Sequence, residues 1–313
     1  MPTLHKRQFL KLALAGGAAL ALSACGGGSD LNVYGRISLS PDLSLLQEAI
    51  EAAGLQDTLR GDGPFTVFAP TNAAFEALLA ELGVTKQALF ADRATLTAVL
   101  TYHVLGARVE AADIPFGRAI TTVQGGIFKI EAEGGASIQD GRNRTARIIA
   151  TDIEGGNGVV HKIDKVLLPA NLDIVATAQS ISTFSTLVAA VGAAGLVSTL
   201  QQPGPFTVFA PTNAAFDALL AEYGLTLNDL TSNTSLLTAV LTYHVLPARV
   251  LAAEVPIDTD ITTVQGNTLS IDSDYVITDQ VGRTATITAT DVFASNGVIH
   301  VIDRVILPFD LAS

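Results

Sequence analysis

Two pairs of histidines are the groups in this chain best suited to chemistry. His103 and His244 each follow a tyrosine, Tyr102 or Tyr243, inside identical apolar decapeptides. His161 and His300 close the near-identical strings Asn-Gly-Val-Val-His and Asn-Gly-Val-Ile-His, and an acid, Asp164 or Asp303, follows three residues later. Imidazole titrates near neutrality, so it can move a proton, bind a metal or sense pH. Residues i and i+3 of a strand face opposite sides, so His161 and Asp164 are not expected to touch. No histidine pair has the i, i+4 or His-Glu-x-x-His spacing of a metal-binding helix. There is no Gly-x-Ser-x-Gly elbow, no Gly-x-x-x-x-Gly-Lys phosphate loop and no candidate cysteine nucleophile. A carboxylate pair could still be assembled from distant acids. A buried histidine needs hydrogen-bond partners. The six motif residues Tyr102, His103, His161, Tyr243, His244 and His300 are therefore read as structural, with a pH-sensitive joint as the alternative. No catalytic residue, metal or cofactor is expected.

The elements that must position these residues are written twice. The stretch from Gly63 to Phe75 recurs letter for letter from Gly204 to Phe216, and Leu96 to Leu105 recurs from Leu237 to Leu246. Ile120 to Gly125 recurs from Ile261 to Gly266. A repeat this long is a whole domain. The boundaries fall at 31–169 and 171–310, and so short a link predicts two abutting domains. Within a unit, Leu43, Leu46, Ile50 and Ala53 space a helix that ends at Gly54. Phe65 to Phe68 reads as a strand cut by Pro70, and Asn72 as the N-cap of a helix burying Phe75, Leu78 and Leu79. Leu96 to His103 reads as a further helix. From Ile120 onward β-branched strands take over: Ile127–Ile130, Ala146–Ala150 and Val159–Leu168, with a turn at Asn157-Gly158. Helices segregated from strands predict an α+β class.

The first 24 residues read as an address. His5-Lys6-Arg7 precedes an apolar run from Phe9 to Leu22, which is short for a membrane span. Leu22-Ser23-Ala24-Cys25 resembles the lipobox of bacterial lipoproteins. That resemblance implies acylation of Cys25 as the first mature residue, with residues 25–30 as a glycine-rich tether. Lys6 to Lys11 also resembles a twin-arginine export signal with Lys in place of the first Arg, so the export route stays open. The implied location is the cell envelope, membrane-anchored and facing the periplasm or the exterior. The chain's one cysteine excludes an internal disulfide or thiolate cluster.

Three motifs carry a more specific resemblance. Thr66 to Phe75 resembles the first signature of the fasciclin (FAS1) domain, Tyr102-His103 its central Tyr-His motif, and Asn157 to Pro169 its closing signature. All three recur in the second unit, the last from Asn296 to Pro308. The resemblance implies two tandem domains, each a twisted β-sandwich or wedge flanked by helices. It also implies non-catalytic adhesion at surfaces. In animal members an Asp-Ile motif near the closing signature is associated with integrin binding. Asp152-Ile153 matches it, without the preceding polar residues, and unit two has Asp291-Val292. The other reading of Asp152 is a turn residue bonding the backbone ahead of Asn157-Gly158.

Charge narrows the partners. The 313 residues are 49% hydrophobic and carry a net charge of −12, which excludes a disordered chain and argues against nucleic acid. Residues 31–169 hold 12 basic and 16 acidic groups, whereas 170–313 hold 3 and 13. Arg142, Arg144 and Arg147 surround an expected hairpin, where unit two offers Asp272, Asp274, Asp279 and only Arg283. That hairpin is either a contact for an anionic polysaccharide surface or a solvated tip. The leading expectation is a lipid-anchored, non-enzymatic interaction protein with protein or polysaccharide partners. The alternatives are a carrier holding a small apolar ligand between helices and sheet, and an unrecognised hydrolase.

Overall fold

The computed structural model describes residues 31–311; the leader, Cys25 and the tether lie outside them. Each unit begins with helices. In the first, α1 (Val33–Ser38) is capped by Asn32, whose side chain accepts from Gly35 N. The helix expected to stop at Gly54 is α2 (Ser44–Ala53), and Gly54 closes it at φ 72°, in the left-handed region that suits glycine. Next come α3 (Gln56–Arg60), β1 (Phe65–Pro70), α4 (Asn72–Leu82), α5 (Lys86–Ala91) and α6 (Arg93–Tyr102). The cap of α4 differs from expectation. Thr71 accepts from Ala74 N, and Asn72 is the first helical residue. The Asn72 amide ties α4 to α2 instead, accepting from Leu45 N and donating to the Pro41 carbonyl. Asn213 does the same in unit two.

The second half of the unit is strand-rich, as its β-branched content predicts. β2 (Val104–Leu105), β3 (Ile120–Thr121), β4 (Ile127–Glu131), β5 (Ser137–Gln139), β6 (Thr145–Gly155) and β7 (Gly158–Ile163) join β1 in one seven-stranded sheet, ordered β2-β1-β7-β6-β5-β4-β3. Only the β1–β7 pairing is parallel. β7 ends at Ile163 rather than Leu168, and the β6–β7 turn is Gly156-Asn157, one residue earlier than its sequence signal. Unit two repeats the sheet with β8 (Phe206–Pro211), β9 (Val245–Leu246), β10 (Ile261–Thr262), β11 (Thr268–Ile271), β12 (Val276–Thr278), β13 (Thr284–Ala294) and β14 (Gly297–Ile302). The α+β class holds for both.

Alternation along β1 divides the core in two. Val67 and Ala69 face the helices, where they join Leu46, Ile50, Phe75 and Leu100. Phe68 faces the other way, into a cluster with Phe128, Ile130, Ile138 and Ile163. Phe68 and Phe128 meet edge to face at 5.2 Å, although β7, β6 and β5 separate their strands in the sheet. The sheet therefore curls over its own apolar face. This is the wedge, and its helical flank closes the other side. Burying each such phenylalanine is worth about 1.5–3 kcal/mol. The groove between helices and sheet beside Leu46, Val67 and His103 holds only about 40 Å³, space for water rather than for a carried ligand.

Candidate interaction site at the domain junction

β6 is irregular where it passes β7, with register shifts between Ile148 and Ala150 and between Ala150 and Ile153. Asp152 sits in the second shift at φ 57°, a left-handed conformation that aspartate tolerates better than bulkier residues. Its Oδ1 accepts from Ala111 N at 2.9 Å, and its own N–H donates to His161 Nδ1 at 3.3 Å. His161 Nε2 lies 2.9 Å from the Val109 carbonyl. A carbonyl only accepts, so Nε2 carries the hydrogen and Nδ1 the lone pair. Asp291 (φ 59°), Ala252, His300 and Val250 repeat this arrangement in β13. The closing-signature histidines thus staple a bulge to the loop beside it. The turn that Asp152 was expected to brace is held by Asn157 itself, which accepts from Val33 N and donates to the Leu59 and Gly61 carbonyls.

The other histidines are equally occupied. His103 Nδ1 donates to the Val99 carbonyl at 2.7 Å, and Nε2 accepts from Leu167 N at 2.8 Å. His244 has the same partners in Val240 and Ile306. Burial pushes both imidazoles down to about 4, and it lowers His300 as well. The hydroxyl of Tyr102 donates to the Ile127 carbonyl and accepts from Gly141 N. Burial raises its pKa, and pushes that of Tyr243 up to about 12. His161 and Asp164 do not bond each other; Asp164 accepts from Arg147 N.

The two bulges meet different fates. The bulge of unit two is covered by the sheet of unit one. Lys129 of β4 reaches Asp291 Oδ2 at 2.8 Å and Glu131 at 2.7 Å, with the Lys129 and Asp291 side chains only 7% and 2% exposed. Burial alone would lower the lysine's pKa, but its bonds to Asp291 and Glu131 outweigh this and raise it. Gln139 donates to the Asp291 carbonyl. Asn143 both accepts from Phe293 N and donates to Phe293 O, as a paired strand would. Ile127, Leu251, Phe293 and Val298 form a small apolar core between the units. The start of unit two is tied to its own β13–β14 turn, since Leu172 O accepts from Ser295 N. The bulge of unit one is open. Asp152 is 43% exposed, and the positions of Leu251 and Phe293 are taken by Glu110 and Glu154, both of which pair with Arg108.

The residues singled out in the sequence fall in several places. Asp152 lies on the open face, but Ile153 packs against the helical core, so the two are not displayed together. Arg144 is committed to Asp140, Glu81 and the Val166 carbonyl. Arg142 and Arg147 are exposed and leave the hairpin with two outward cations. Cys25 lies outside the described residues. Lys129, Gln139 and Asn143 escape the sequence reading, whose comparison of the two repeats singles out the arginines of the hairpin. Their signal is a difference: the matching positions in unit two are Ser270, Thr278 and Gly282. Among the described residues no group of three or more His, Cys, Asp or Glu side chains could hold a metal ion, and no helix is long and apolar enough to cross a membrane.

The fasciclin domain model matches residues 41–169 and 182–308. The chain belongs to the fasciclin-domain family. Transforming growth factor-beta-induced protein ig-h3 of Sus scrofa is 33% identical to this fasciclin-domain pair over 255 residues, covering 81% of the chain and 36% of the relative. Protein sll1483 of Synechocystis is 48% identical over 140 residues, covering 44% of the chain and 74% of the relative. Human periostin is 28% identical over 282 residues, covering 88% and 32%. The pair thus spans about a third of the length of ig-h3 and periostin. Among solved structures, a FAS1 domain pair from the insect cell adhesion molecule fasciclin I aligns with a TM-score of 0.41 and 20% identity, covering 85% of this chain and 97% of that one.

Proposed function

We propose that this fasciclin-domain pair is a non-catalytic surface-interaction protein, held in the cell envelope by an acylated Cys25. It presents its first domain's open face and Arg142/Arg147 hairpin to protein or polysaccharide partners. The observation that carries the reading is the locked junction. Lys129, Gln139 and Asn143 fix one domain on the other, so the pair can resist a pull as one body instead of flexing at its link. Catalysis would need a nucleophile beside a free base, and all eight ring nitrogens of the motif histidines are bonded to backbone.

A deletion strain tests the proposal when complemented with the wild type, Cys25→Ser or the double variant Arg142→Ser/Arg147→Ser. Deletion should reduce cell aggregation or surface attachment, and the wild type should restore it. Cys25→Ser should move the protein out of the membrane fraction. A deletion strain that aggregates and attaches like its parent overturns the reading.

A further inference from the structure

The duplication left one arginine without its acids. In the first domain Arg108 pairs with Glu110 at 3.0 Å and Glu154 at 3.9 Å, and it donates to the Gly158 carbonyl. Its counterpart in the second domain, at the same shift as the decapeptide repeat, is Arg249. Both acids are gone there: Leu251 stands for Glu110 and Phe293 for Glu154, and both are buried in the junction core. Among the described residues the Arg249 side chain has no hydrogen bond or ion pair, although it is half-buried. It lines a cleft of about 380 Å³ between the two domains. That volume lies within the roughly 300–1,000 Å³ of small-ligand sites.

The rest of the lining fits one kind of occupant. Ile127, Pro169, Phe293 and Ala294 supply apolar walls, Gln124 and Ser295 supply polar groups, and no acid is present. In a chain of net charge −12, an acid-free cleft around an unpaired guanidinium is a local reversal of sign. A planar guanidinium offers two parallel N–H groups to a carboxylate, and the apolar walls favour a body attached to it. We propose that the junction cleft binds a small organic carboxylate with an apolar body, gripped by Arg249. Electrostatics supply the orientation and the walls of both domains the burial. The site is separate from the surface-interaction reading, and the failure of one leaves the other standing.

The test is calorimetric titration of the purified full chain with naphthalene-1-carboxylate, its neutral carboxamide and inorganic phosphate. The carboxylate should bind with a Kd tighter than about 1 mM, and the carboxamide at least about tenfold more weakly. Arg249→Gln should weaken the carboxylate by about tenfold or more, whereas Arg108→Gln should not change it. Ser295→Phe keeps the charge but fills the cleft, and should also abolish binding. Each variant's melting temperature is measured alongside, and a variant that melts like the wild type while losing the carboxylate supports the site. The inference is overturned by equal affinity for acid and amide, by full binding in Arg249→Gln, by a carboxylate Kd weaker than about 1 mM, or by phosphate binding as tightly as the carboxylate.

Discussion

Acid should unfold this protein through its buried histidines, and it should do so before the carboxylates titrate. His103 and His244 are neutral in the folded state, each with one nitrogen donating to a carbonyl and the other accepting from a backbone N–H. A second proton would face that N–H and would sit in a desolvated interior. Burial accordingly holds both imidazoles near pKa 4, against an ordinary value of 6.5. Above about pH 6.5 neither folded nor unfolded chain is protonated at these sites, so they contribute nothing to the pH dependence. As pH falls from about 6.5 to 4 the unfolded chain takes up protons that the folded chain refuses, and stability drops by about 1.4 kcal/mol per pH unit for each histidine. At pH 5 that is roughly 2 kcal/mol each, or about 4 kcal/mol together. His300 is displaced in the same direction and adds to the loss. Carboxylates with lowered pKa, such as Asp92 and Asp229, lose their contribution only near and below the unfolded value of 3.8, outside this window. Urea unfolding at pH 7, 6 and 5 measures the decline, and the imidazole resonances of the folded protein identify its source. A native His103 or His244 that titrates near 6.5, or equal stability at pH 7 and 5, refutes the argument.

Other outcomes follow from single contacts. Lys129→Met strands Asp291 as a buried, unpaired charge and should cost about 3–5 kcal/mol, whereas adding Asp291→Asn should recover much of it; denaturant midpoints decide. Tyr102→Phe leaves the Ile127 carbonyl and Gly141 N–H unsatisfied and should lower stability by about 1–3 kcal/mol, read from the same curves. Asp152→Val loses the bond to Ala111 N and puts a β-branched residue at φ 57°. It should destabilise by about 2–4 kcal/mol while Asp152→Asn stays close to wild type, by thermal melting. Gly158→Ala would place a Cβ 2.1 Å from the Phe65 carbonyl oxygen, so β1 and β7 must separate. Soluble yield should collapse, and a variant that folds with native stability contradicts the packing described.

Much of the fold was legible because the repeat states it twice. The apolar spacing of Leu46, Ile50 and Ala53 with Gly54 behind them marks a helix and its end, and the β-branched run from Val159 marks a strand. The shift from Asn72 to Thr71 as the cap of α4 was not legible, because both residue types cap well and only the neighbouring helix decides which is free to do so. The β5 strand, three residues long, has too few side chains to show a period. The site was less legible. The apolar settings of the motif histidines imply hydrogen-bond partners, and each ring nitrogen has one on the backbone. Their actual partners, Asp152 N and Leu167 N, are set by a bulge and a loop that leave no pattern in the letters. The junction was hidden for another reason. Lys129 and Asp291 are 162 positions apart, each looks like an ordinary solvated charge, and only the docking of two sheets makes them a pair.

The unlike fates of the two bulges also set how these domains can stack. A contact that joins the sheet of one domain to the bulge of the next is head-to-tail, and such contacts extend into open fibres unless something terminates them. Here both ends are blunt. Domain one offers Glu110 and Glu154 where an apolar socket would be needed, and domain two offers Ser270 and Gly282 where Lys129 and Asn143 would have to be. Neighbouring copies therefore have no means of polymerising through the contact that holds each of them together.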